Sequence, residues 1–392
     1  MAPTKEGHVS AQRLTPWEAT SLTVGAGVGA GIMAVPYLAE RVGLLGLALV
    51  LPLAWAASAL VHLMLAEVLF RTGRPLQVVE LMRLYVLRGP AGRVLTWLVF
   101  GLLAVAFVAN LAAYVAGAGE IVAALSGLPA RLAEALVFVA AAGVVFYGLK
   151  AVGIAERYGA AVLVALVVAI GVGALRTPLR LDPVGGGGAS AALALYGMVM
   201  YAYWTFYSVP QVVKGLMPDA RAAVRAIVVG LGINGVLTAL VALVALAVRT
   251  EVTEVAIVGI AAAVGPWAGT AGSLLVLVAL LTSYWSVSLA LADIVHERTG
   301  AQVPLAWLVA TLPSLLVLWL GALHFLDWLR LAAGATALVL ALITLPMVLE
   351  ARRSGPVTDP PWTLGRWGGP AALAFALVAL LLMAVGSLLP SA

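Results

Sequence analysis

The chain has 392 residues, 64% of them hydrophobic and 10% charged, with a mean hydropathy of +1.11 and no cysteine. Soluble domains run at about 45–50% apolar and about 25% charged, so water cannot be the solvent for most of this surface, and the lack of cysteine excludes disulfides, thiolate metal sites and cysteine nucleophiles. The formal net charge of +5 comes from basic residues set between apolar runs and calls for no nucleic-acid partner.

Residues 1–16 are polar and lack an apolar core followed by a cleavage site, so a cytoplasmic segment is expected there rather than a removable signal. About 20 apolar residues cross the hydrocarbon as a helix. Eleven segments reach that length: 17–40, 44–70, 94–118, 131–149, 157–175, 190–214, 224–248, 270–292, 303–321, 325–349 and 369–389. Helices are required because an open strand edge has no hydrogen-bond partner in lipid, so the expected fold class is an all-α integral membrane protein of about eleven transmembrane helices. With the N-terminus inside, sixteen of the 22 Lys and Arg fall in cytoplasmic segments, Lys5, Arg71, Lys150, Lys214 and Arg352 among them. Arg41, Arg131, Arg176, Arg180, Arg249 and Arg330 stay outside. This orientation places the C-terminus outside the cell membrane and the basic side against the anionic lipid of the inner leaflet.

The first span reads VGAGVGAGIMAVPY from Val24 to Tyr37. Each mid-helix glycine costs about 1 kcal/mol relative to alanine, so glycine at 25, 27, 29 and 31 with proline at 36 predicts an unwound stretch near 25–31. Irregular backbone at membrane depth survives only where it is buried in protein or lines a cavity; the competing reading is a close helix-packing face of small residues. In the second span His62 reads as a hydrogen-bonded packing histidine, and Glu67 as a solvated end charge or a proton relay, as does Glu120 at the end of the third. Asn110 and Tyr114 lie four apart on one face of that third span, where they meet either substrate or another helix. The sixth span, LYGMVMYAYWTFYSVPQVVKGL from Leu195, concentrates Tyr201, Trp204 and Thr205 near its middle and repeats Val-Pro at 209–210, which predicts a second break near 202–207.

The stretch GAGIMAVPYLAERVG from Gly29 resembles the first-helix motif of the amino acid/auxin and the aromatic/hydroxy amino acid permeases, approximately G-x-G-[IM]-L-x-[LM]-P. LMLAEVLFRTG, ending at Gly73, is similar to their second helix, and Tyr201 to Thr205 fall where they commonly carry F-A-F-x-G, with Thr205 in place of the glycine and Trp204 larger than usual. The resemblance implies the leucine-transporter fold: two inverted five-helix repeats, here 17–175 and 190–349, with an added helix at 369–389 and the substrate between helices one and six. Amides of Gly29, Ala30 and Gly31 would then hold a substrate carboxylate. Carbonyls of Ala26, Tyr201 and Ala202 would hold its ammonium, the Thr205 hydroxyl assisting. Trp204 and the tyrosines occupy volume, which favours a small or medium neutral amino acid over tryptophan.

Ala279-Leu-Leu-Thr282-Ser283 resembles the A-x-x-T-S pattern that supplies a sodium site in leucine-transporter-like carriers, and the resemblance implies sodium as the coupling ion; the alternative is a proton carrier in which a basic residue on the fifth helix replaces the ion, and no lysine lies between Arg157 and Arg176. The remaining ligands would be carbonyls of Val24 and Gly27. The competing reading is that Thr282 and Ser283 bond only to their own helix. No other cofactor is expected. Enzyme motifs are missing: His296-Glu297 continues as Arg-Thr-Gly rather than H-E-x-x-H, no G-x-S-x-G elbow occurs, and the Gly185 to Gly188 run reads as an outer loop.

Overall fold

The computed structural model describes residues 13–177, 187–248, 260, 264–321 and 325–389. Lys5, Arg180, Arg249, Gly185 and most of the 1–16 segment lie outside them. Among the described residues the chain is helical, without a β-strand.

Helix α1 (Pro16–Gly27) starts on a capping box: the Thr15 hydroxyl accepts the Glu18 amide, the Glu18 carboxylate accepts the Thr15 amide, and Pro16 stands at the first helical position. It stops at Val28 (ψ 69°), Gly29 is extended, and α2 (Ala30–Thr72) resumes the path. α2 contains both the rest of the first expected span and the whole second one, separated at Gly43, whose φ of 82° and ψ of 173° favour glycine. Then follow α3 (Val78–Tyr85), α4 (Gly89–Ser126), α5 (Ala130–Phe146), α6 (Leu149–Ala174), α7 (Gly188–Ala202), α8 (Ser208–Leu216), α9 (Ala220–Val248), α10 (Pro266–Thr299), α11 (Val303–Trp319), α12 (Phe325–Ser354), a 3-10 turn at Gly365–Gly368, and α13 (Pro370–Leu388).

The expected spans follow these helices in order, the first divided between α1 and α2 and the sixth between α7 and α8, and among the described residues six helices are long and apolar enough to cross a membrane by length and composition alone. Two differences matter. The short α3 was not expected, and the fifth span begins at Leu149 rather than 157, because hydropathy is interrupted by the Glu156-Arg157 pair while the helix is not.

The two interrupted helices form the centre. α1 is enclosed by α6, α8, α9 and α10, and α2 lies against α7 and α9. Leu45, Leu49, Val139 and Val164 point outward, an apolar exterior suited to lipid. At one end of the bundle Glu67 is 2% exposed rather than solvated as expected. Its carboxylate accepts Arg71 Nε (2.9 Å) and Arg352 Nε and Nη2 (3.0 and 2.8 Å), while Arg352 Nη1 continues to the Gly368 carbonyl. The long crossing of α2 is thereby tied to α12 and to the turn before α13. Glu120, by contrast, is exposed as expected.

Candidate substrate and ion sites

A helix interrupted in lipid leaves backbone groups without partners, and the neighbouring helices supply them. In the sixth span α7 ends at Ala202 and α8 starts at Ser208. His62 on α2 takes the Thr205 amide on Nε2 (3.1 Å), and its Nδ1 lies 2.6 Å from the Ser58 carbonyl. Because Nε2 accepts, the imidazole is neutral with its proton on Nδ1. The Ser58 hydroxyl donates to the Tyr203 carbonyl at 3.0 Å. His62 is therefore the hydrogen-bonded packing residue expected of it, and what it holds is the break itself. Asn234 on α9 serves the first span, its Nδ2 donating to the Thr23 carbonyl at 3.0 Å.

Between the two breaks lies a cavity of about 500 Å³ with its open mouth included. Ala26, Gly27, Gly29 and Gly31 form one wall and Tyr201, Trp204 and Tyr207 the facing one, with Phe107, Asn110 and Tyr114 from α4 and Val287 from α10 between them. The Tyr201 hydroxyl donates to Asn110 Oδ1 at 2.9 Å, and the Tyr114 hydroxyl lies among Tyr201 and Ser283. Phe107 meets Tyr207 edge-on with centroids 4.3 Å apart, and Trp204 stacks on Phe206 at 5.3 Å. Trp204 Nε1 is buried on the cavity wall without a hydrogen-bond partner. The approach of the two broken helices is close: a Cβ on Gly31 would lie 2.9 Å from Ala202 Cα and 3.1 Å from its amide nitrogen.

Most expected substrate residues thus share one cavity, with three corrections. The Gly29 amide donates to the Gly27 carbonyl (2.8 Å), so the α2 N-terminus offers Ala30 and Gly31, its first two helical amides, rather than three. Ala202 is packed against Gly31 and is not on the cavity wall. Thr205 is off the wall too; its methyl is turned towards Gly27 and its buried hydroxyl has no partner.

The expected ion ligands divide similarly. Thr282 Oγ1 donates to the Ala279 carbonyl (3.0 Å), the within-helix bond of the competing reading, while Ser283 Oγ reaches across to the Gly25 carbonyl at 3.2 Å. Gly25, rather than Val24 or Gly27, is therefore the α1 carbonyl that meets the Ser283 hydroxyl. The Val24 carbonyl closes the last turn of α1 on the Val28 amide, and Gly27 lines the cavity. Sequence reasoning missed Phe107 and Val287, which carry no polar mid-span signal, and Asn234, a lone polar residue in an apolar run. It also missed Glu156, whose place just ahead of the expected fifth span made it look like loop.

Residues 14–387 match the tryptophan/tyrosine permease family. The chain belongs to that family. Among solved structures the permease is similar to Mhp1, a nucleobase-cation-symport-1 family transporter in a closed conformation with bromovinylhydantoin bound, at a TM-score of 0.63 and 14% identity over 96% of this chain and 92% of that one. At such identity the likeness carries the fold, which is leucine-transporter-like. No protein of curated function matches the permease. It is an integral membrane transporter and not an enzyme. The likeness of its first-helix motif to the amino acid/auxin permeases stays a likeness of motif.

Proposed function

We propose that the permease is a secondary active symporter of a neutral amino acid with an aromatic side chain, coupled to sodium and oriented with its N-terminus in the cytoplasm. The observation that carries this reading is the cavity enclosed by two interrupted helices, one of which points its N-terminal amides inward. Ala30 and Gly31 bind the carboxylate through backbone hydrogen bonds and the positive end of the helix dipole. The Ala26 and Tyr201 carbonyls and Asn110 Oδ1 receive the ammonium. Phe107, Trp204 and Tyr207 surround the side chain, Trp204 Nε1 being open to a polar ring substituent. An aromatic wall and the family's name together outweigh the volume argument for a smaller substrate. Sodium binds where Ser283 of α10 meets the Gly25 carbonyl of α1, with Thr282 alongside, beside the substrate's own helix, so each ligand orders the site for the other; such coupling is typically about 1–3 kcal/mol. The test is uptake of a labelled amino-acid panel into proteoliposomes, in sodium against choline. Saturable, sodium-dependent uptake of tyrosine or tryptophan is expected; no uptake of any neutral amino acid would overturn the substrate, and equal uptake in choline the ion.

A further inference from the structure

Glu156 stands on α6, two turns in from Leu149, with no exposed surface. Its Oε1 accepts the Ser286 hydroxyl of α10 at 2.7 Å, while Oε2 has no hydrogen-bond partner, and among the described residues no Lys or Arg forms an ion pair with it. An isolated buried carboxylate is among the costliest groups a membrane helix can carry, so its charge must be answered, either by a proton or by a bound cation. Oε2 is directed at α1: a Cβ on Gly25 would collide with it and would stand 2.9 Å from Thr282 Cβ. Gly159, nearly one turn on, leaves α6 room against Thr282 in the same way. The free carboxylate oxygen thus faces the Gly25, Thr282 and Ser283 meeting point from a third helix.

We infer that Glu156 is the charged ligand of a monovalent cation site bounded by α1, α6 and α10, and that the bound sodium is the missing counter-charge of this carboxylate. The inference rests on the sodium reading above and adds to it the only acidic member. One carboxylate with a carbonyl and hydroxyls balances a single positive charge, whereas divalent sites gather more carboxylates, and no group of three or more His, Asp or Glu suited to a metal occurs among the described residues. Ser286 positions the carboxylate by holding Oε1, which leaves Oε2 for the ion.

The site makes a physical demand on the cycle. Filled, it is neutral and tolerates the low dielectric; emptied, it leaves a carboxylate that must take up a proton or meet water, and either is eased if α1 parts from α6 and α10. The ion therefore acts as a bolt across these three helices.

The experiment is direct binding of ²²Na⁺ to the purified full-length permease in detergent, with no amino acid present, so that an error about the substrate leaves the result intact. Glu156→Gln is expected to weaken binding about tenfold or more, and Glu156→Asp, which keeps the charge but withdraws it by one methylene, by less. Both should elute as monodisperse protein and unfold in sodium-free buffer no earlier than wild type, which a merely structural role for Glu156 would not allow. Binding by Glu156→Gln within twofold of wild type overturns the inference and leaves the sodium site standing. Absence of ²²Na⁺ binding to wild type overturns both.

Discussion

Two of the carboxylates sunk in this bundle, Glu67 and Glu156, are treated in opposite ways. Glu67 is met by two arginines, and Arg352 passes the link on to the Gly368 carbonyl, so α2, α12 and the turn before α13 are fixed to one another. Glu156 is at least as deeply buried and receives one serine hydroxyl. The first arrangement is complete within the chain and can only hold. The second is incomplete within the chain, and a group whose charge is answered by something that comes and goes is suited to a moving part. α1, the helix opposite Glu156, ends at a break, whereas the Glu67 end of α2 is regular and capped at Gly73.

Breaking the closed arrangement should have the largest cost to folding. Glu67→Ala leaves two guanidinium groups facing a buried void, and loss of one partner in such a pair costs about 3 kcal/mol or more, the lower end being set by arginines that are 18% and 23% exposed. A clear drop in unfolding temperature in detergent is expected; an unchanged one would mean the network is ornamental. The broken helices should respond in transport instead. Gly31→Val drives a branched side chain into Ala202, and overpacking of this kind costs about 1–3 kcal/mol while displacing the amides on which carboxylate binding depends. Uptake should fall to background with folded protein still recovered, and normal apparent affinity in that variant would put the carboxylate site elsewhere.

Glu156→Gln sharpens the contrast because its effect should have the opposite sign to that of Glu67→Ala. Removing an unanswered buried charge leaves stability in choline unchanged or raised, while the rise in unfolding temperature that sodium gives the wild type disappears, since only a ligand that binds the folded state stabilises it. Thermal unfolding of both proteins across a sodium series reads this directly. Asn234→Ala should be milder, about 1–2 kcal/mol, through loss of the bond to the Thr23 carbonyl, with reduced uptake because the end of α1 loses its brace. The smallest effect is expected for Lys150→Ala, whose ammonium lies 2.6 Å from Glu18 Oε2 but is 38% exposed. Solvent-screened pairs contribute about 0–1 kcal/mol, and high salt should remove most of even that.

What could be read beforehand follows the range of the forces involved. The membrane class, the order of the spans and both helix breaks were legible because hydropathy, glycine density and the Val-Pro repeats act on neighbours in the chain. Gly31 and Trp204 could be named for the same reason. The reading failed where two nearby residues part company in space. Glu156 and Arg157 look alike as a charged pair at the edge of an apolar run, yet Glu156 is enclosed while Arg157 reaches outward to the Tyr158 hydroxyl. It failed again at Gly25, where the α1 carbonyl that meets Ser283 is fixed by how α1 is rotated against α10.

The sequence by itself determined the solvent, the helical class and the two places where a helix must be interrupted, since each depends on local composition and backbone freedom. Only the tertiary structure decided which glycine carbonyl faces α10, that Ala202 packs against Gly31 instead of lining the cavity, that Glu67 is locked and that Glu156 is left with a free oxygen. Those outcomes depend on the rotation of each helix about its axis, set by packing among helices far apart in the chain. In a run of alanine, valine, leucine and glycine no face differs enough from another to fix that rotation in advance.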